Sequence, residues 1–390
     1  MKKIFIILFL LIIFLNLMSC KNKKEEVILI SSKGKFLILD ENLNLIKKIE
    51  KNLDGKVLIS EVNGDLILFN LQSYNPSKNR IFLLNLKSEE IINITEDIEG
   101  AFLYKPKFYD SENIIFSVRD KNALESLYIY SLKDKTIKLI SKEVKSSYIY
   151  PFYIDNINKK IYVHLLKQNE INSKIALYDL NKDEFIENYI NFENHFFITE
   201  SNENGEFILL NYDIKNDTQK IQIVDLKKKD FKDIFEIKNG YIHNILFSDD
   251  SNFILFEFIP YEIEKKPLIY VIDKSGKLIK EISFPIDSDF YILNSKKDQI
   301  FIMAQKEGET KYKLYSLNIN NNELKEFTAN DKFFGGDLLI SKEKEKIIIS
   351  EFKDNPSNKD FLMMNINGTE RKSLLEKLNI DNIDSILFLK

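Results

Sequence analysis

Eight times along this chain an apolar run ends on Asp, Asn or Ser, turns, and is followed by a second apolar run. The copies are Phe36–Asp40, Ile81–Asn85, Leu127–Ser131, Ile175–Asp179, Ile221–Asp225, Ile269–Asp273, Tyr312–Ser316 and Phe361–Asn365. Their last residues, 40, 85, 131, 179, 225, 273, 316 and 365, are separated by 45, 46, 48, 46, 48, 43 and 49 residues. Self-similarity at 40–50 residues, with several short strands per unit, is the signature of propeller blades. It constrains this chain more than any other feature, because eight copies use the sequence from residue 27 onward and leave no second domain.

Each unit carries four strand-like runs rich in Ile, Phe, Tyr and Val. In the third unit they are Phe102–Phe108, Asn113–Val118, Leu127–Tyr130 and Thr136–Ile140. In the fifth they are Phe196–Glu200, Phe207–Tyr212, Ile221–Val224 and Phe231–Ile237. Asp, Asn, Lys and Gly fill the turns. Only Glu370–Leu378 has helical character. The first unit, from Val27, lacks an inner strand, and the chain finishes on an unpartnered run, Asp384–Leu389. Placing that run innermost in the first blade closes the ring and removes free sheet edges. The expectation is an all-β fold, one propeller of eight four-stranded blades over residues 27–390. Seven blades with a divergent end is the alternative.

Composition supports a folded body and narrows its chemistry. Hydrophobic residues are 44% and charged residues 30%, so a sizeable core is available. The net charge is −4, which argues against a nucleic-acid binder held by a broad positive face. A single Cys excludes a disulfide framework and a Cys-cluster metal site. No G-x-S-x-G elbow, H-E-x-x-H pair or Gly-rich phosphate loop is present. His164, His195 and His243 fall in separate units and read as packing or surface residues. Carboxylates read as turn residues that solvate or cap. No catalytic residue, cofactor or metal site is expected.

The start reads as an address. Lys2 and Lys3 precede an unbroken apolar run, Ile4–Leu15, too short to span a bilayer comfortably and right for a signal peptide. Leu17-Met18-Ser19-Cys20 resembles the bacterial lipobox, and the one Cys of the chain stands at its lipidated position. The resemblance implies a signal peptide over 1–19, cleavage before Cys20, and a diacylglyceryl and N-acyl anchor on that residue. Residues 20–26 then form the lipidated Cys and a short charged tether. Lys21 follows Cys20 where the usual retention signal has Asp, which implies the outer membrane.

Pro106–Glu143, with its Pro, aromatic, degraded Ser-Pro-Asp-Gly-like turn and Tyr-containing strand, resembles the TolB-type (WD40-like) propeller repeat. Phe247–Glu257 repeats the middle of it. Anchor, length and blade number also resemble BamB, an outer-membrane lipoprotein of β-barrel assembly. Its Trp-containing blade pattern is absent, and only Asp273–Lys277 looks like its turn. These resemblances imply an envelope lipoprotein, monomeric, docking a protein partner such as a component of β-barrel assembly. A propeller binding a small glycan or peptide, or a surface lipoprotein contacting a host, are the alternatives. Loops between second and third strands are expected to share one rim with the links between blades. The longest, Leu71–Arg80 and Pro260–Pro267, supply aromatic and basic anchor candidates: Tyr74, Arg80, Tyr261, Lys265 and Lys266, with Arg119 from a third loop.

Overall fold

The computed structural model describes residues 26–389 apart from 74–78, 99–101, 121, 123, 142–145, 169, 171, 193–194, 202–205, 214–215, 263, 285–287, 307, 330, 342–343 and 356–358. Eight antiparallel blades of four strands each form a ring. Blade three is Phe102–Phe108, Asn113–Arg119, Glu125–Ser131 and Thr136–Leu139, from the axis outward. Blade five is His195–Ser201, Phe207–Asp213, Thr218–Asp225 and Asp230–Ile237. Blade one is assembled from both ends of the ring: Ser385–Leu389 is innermost and pairs with Val27–Ser32, register Val27↔Leu389 to Ser31↔Ser385.

The strands read as continuous apolar runs because both faces of every blade are covered. In Leu66–Gln72 of blade two, Ile67, Phe69 and Leu71 pack toward blade one, and Leu68 packs toward blade three. The hydrophobic core is accordingly eight separate clusters, one between each neighbouring pair of blades. The cluster joining blades eight and one holds Ile348, Phe361 and Met363 from one side and Ile28, Ile30 and Ile386 from the other. That cluster decides for eight blades over seven.

The repeated polar residue has a structural cause. Asp40 accepts from the backbone N–H of Asn42 and Asn44, both at 2.8 Å. Asp179 accepts from Asn181 and Lys182, and Asp225 from Lys227 and Lys228. Each side chain closes the turn between third and fourth strands as an Asx turn. In blade seven the expected Ser316 does not do this. Asn318 does, accepting from Asn320 and Asn321, so that copy ends two residues later than its sequence implies. In blade eight the outermost strand shrinks to Lys372–Ser373 and leads into a one-turn helix, Leu374–Leu378. Ser373 caps it, accepting from the Glu376 N–H at 3.1 Å.

The strand order fixes two faces. Turns between first and second strands and between third and fourth strands lie together, tied by bonds such as Leu180 N–H to the Lys159 carbonyl. This is the turn face. Loops between second and third strands share the opposite side with the links between blades, tied by bonds such as Tyr261 N–H to the Asn239 carbonyl. This is the loop face.

Candidate functional site

The loop face carries the sequence-selected residues. A cleft of about 640 Å³ opens on it between blades one and two, at the closure of the ring. Lys33, Asp54, Lys56, Ser73, Asn79 and Asp384 line it. One wall is pinned: the Lys33 N–H donates to Asp384 at 2.9 Å, and Ser73 N–H donates to the Asn79 side chain at 3.0 Å. The floor is tight, because a Cβ on Gly55, at φ +146, meets the Gln72 carbonyl at 2.6 Å.

The candidate anchors divide. Tyr261 is exposed, and its hydroxyl donates to Asp217 of the neighbouring loop at 3.0 Å, where Tyr212 also donates. Lys265 pairs with Glu262 at 2.9 Å, both exposed. Lys266 is exposed beside it. Arg80 begins the third strand of blade two and donates to the Asn79 carbonyl at 2.8 Å. Tyr74, Leu17, Met18, Ser19 and Cys20 lie outside the described residues. Arg119, a third exposed, is held by a buried carboxylate. Its guanidinium Nε donates to Glu125 Oε1 at 2.9 Å, and Nη2 binds the same oxygen. Glu125 is 2% exposed, and its other oxygen accepts from the Ile149 N–H of blade four at 2.9 Å. Removing one partner of a buried pair strands the other. Arg119→Ala is expected to destabilise by about 2 kcal/mol, discounted because the guanidinium is a third exposed. Urea unfolding reads this directly.

Glu125 belongs to a set that the turn reading of carboxylates missed. The innermost strands present N–H groups at an edge with no further strand to pair, and side-chain acceptors, buried or half-buried, mostly from the preceding blade, meet them. Glu61 of blade two accepts from Phe108 at 2.5 Å. Gln219 of blade five accepts from Ile242, and Glu257 of blade six accepts from Ile292. Between the link and blade eight, Glu351 accepts from Ala329 at 2.9 Å and from Arg371 at 2.5 Å. These side chains fasten the ring at its inner edge.

Glu257 has an additional role. A bulge between His243 and Ile245 turns the innermost strand of blade six so that His243 Nδ1 lies 2.9 Å from Glu257, with Asn244 at 3.4 Å. His243 is 38% exposed and meets the Tyr291 ring edge-on at 5.0 Å. Tyr291 in turn touches Tyr312. Burial pushes the Glu257 carboxyl up to about 7, against the opposing pull of His243 and the Ile292 N–H. Folding therefore takes up a proton there. That contribution is complete below the ordinary value of 4.5 and is lost as pH rises through about 7. Stability is expected to fall by about 3 kcal/mol across that window, the size of the shift at ~1.4 kcal/mol per unit. Glu257→Gln keeps an acceptor for Ile292 and is expected to flatten the profile in thermal unfolding between pH 5 and pH 8. His164 is packed, stacked on Phe196 at 4.9 Å. His195 starts the innermost strand of blade five.

No family model matches the chain, and none of the curated proteins compared with it matches. Solved structures do. The β-propeller domain of the trilobed protease from Pyrococcus furiosus shares 16% identity at a TM-score of 0.52, over 83% of this chain and 96% of that domain. The fold is a β-propeller, and these structural neighbours are the propeller domains of peptidases. Dipeptidyl peptidase 4 from Porphyromonas gingivalis gives 14% identity and a TM-score of 0.59, over 89% of this chain and 58% of that one. Oligopeptidase B from Leishmania major gives 9% and 0.59, over 85% and 50%. This chain thus spans about half the length of those two peptidases. The Pyrococcus domain is described as having an open velcro topology; here the last strand pairs with the first.

Proposed function

We propose that this protein is a lipid-anchored, non-catalytic envelope scaffold whose loop face docks another envelope protein. The observation that carries the reading is where the chain enters the ring. The first strand, Val27–Ser32, runs from the turn face to the loop face, where it hands over to the Ser32–Lys35 turn. Glu26, just before it, is buried on the turn face against Ser341. An anchor at Cys20 therefore leaves the whole loop face, its cleft and its Tyr and Lys side chains unobstructed. Anchoring raises the local concentration of the propeller at the membrane, and the loops supply specificity. The assembly of outer-membrane β-barrels is the setting that the BamB likeness favours, and the outer membrane is the location that Lys21 favours.

The test is a loop variant. Tyr261→Ala with Lys265→Glu and Lys266→Glu changes exposed residues, and its unfolding midpoint is expected to match the parent. Co-purification of the specific partner from detergent-solubilised envelopes is expected to drop at least tenfold, about 1.4 kcal/mol or more of binding. Unchanged recovery contradicts docking through this face.

A second reading rests on His243. A half-exposed imidazole held by a buried carboxylate beside two Tyr rings is suited to bind a small polar ligand at the axis. It predicts that His243→Ala leaves partner recovery intact and abolishes ligand-induced thermal stabilisation.

A further inference from the structure

We infer that the turn face is the surface the protein lays against the phospholipid bilayer, an assignment that rests on the anchor reading above. Three observations converge on it.

The first is reach. From Cys20 to Glu26 is six residues, which span about 20 Å when fully extended. Glu26 is fixed on the turn face, its carboxylate accepting from the Ser341 hydroxyl. Innermost strands of about eight residues, at ~3.3 Å each, set the loop face roughly 25 Å beyond. The tether is too short to bring the loop face to the headgroups.

The second is the placement of exposed apolar side chains. Among the described residues, Leu45, Ile46, Ile157, Phe231, Leu278 and Ile279 are exposed at the turn end of their blades. Ile157 is the tip of the turn in blade four and is 92% exposed. The other five open the outermost strands of blades one, five and six, directly after the Asx turns. Only Tyr241 and Tyr261 of this class lie toward the loop face. Single exposed apolar residues are ordinary; here six of the eight among the described residues stand at the same end of the ring.

The third is distribution. Glu26 sits between blades one and eight, and blades four and five stand across the ring from them. Apolar tips on both sides make a flat, face-down pose stable. A pose resting on the outer edge of blades one and eight leaves Ile157 far from lipid.

Quenching in vesicles tests this. Full-length lipidated protein, with a fluorescent non-natural residue at position 157, 278 or 265, is reconstituted into phosphatidylethanolamine and phosphatidylglycerol vesicles containing nitroxide-headgroup lipid. Flotation is scored on the same samples. The expected result is flotation of all three, loss of fluorescence at 157 and 278, and no loss at 265. Ile46→Glu combined with Ile157→Glu is expected to keep flotation and reduce quenching at 278. Flotation with quenching at 265, or with none at 157, overturns the face assignment and leaves the anchor standing. Absence of flotation overturns the anchor reading, and the face assignment falls with it.

Discussion

Deleting residues 385–390 is expected to abolish cooperative folding of the whole ring. Among the described residues, the deleted strand is the one that pairs with Val27–Ser32 on its axial side. Ile386 and Phe388 pack into the cluster between blades eight and one, and Leu389 into that between blades one and two. Fully buried, such side chains contribute roughly 1.5–3 kcal/mol each; Ile386 is buried and Leu387, Phe388 and Leu389 are half-buried, so the four give about 5 kcal/mol. That alone is of the order of a typical domain's net stability, about 5–15 kcal/mol. The loss is also structural, because it opens an edge in blade one that invites pairing with another chain. Denaturant unfolding should become broad and shift to low urea, and size exclusion should show oligomers. A monomeric truncated protein with an unchanged midpoint contradicts ring closure by this strand.

Cys20→Ala is expected to change location completely and stability not at all. Acyl methylenes contribute about 0.8 kcal/mol each on entering the bilayer, so the proposed diacylglyceryl group with an N-acyl chain would anchor the protein stably, where one chain would not. The amino-terminal peptide of the parent protein should begin at Cys20 and carry the acyl mass. The variant should lack that mass, and its propeller, once released from the leader, should be soluble with the parent's unfolding midpoint. An unmodified Cys20, or an amino terminus elsewhere, contradicts the anchor.

The blades were legible because both faces of each sheet are buried, so the strands of blade five are readable to within a few residues from apolar runs alone. The one register error has a clear cause. Tyr312–Ser316 and Leu314–Asn318 both alternate and both end on a polar residue, and only the turn N–H groups choose Asn318. The inner-edge fastenings were hidden because they join distant positions: Glu257 reaches Ile292, and Glu125 reaches Ile149. A signal for them exists in the sequence. Glu257 in FILFEFIP and Glu351 in KIIISEF are lone carboxylates inside apolar strands, where ionised groups persist only with partners. The Arg119–Glu125 pair was likewise hidden, because the partner lies six residues on, across a polar loop. Tyr261 and Lys265, by contrast, stand exposed on the rim where the strand order places them.

The most direct test of the account is photo-crosslinking in living cells from the two faces of the same lipidated protein. A photoreactive residue at Lys56 or Lys265, on the loop face, is predicted to yield one discrete protein adduct, the same from both positions. The same residue at Lys228, on the turn face, is predicted to yield none. A protein adduct from Lys228 with none from Lys56 and Lys265 would contradict the account.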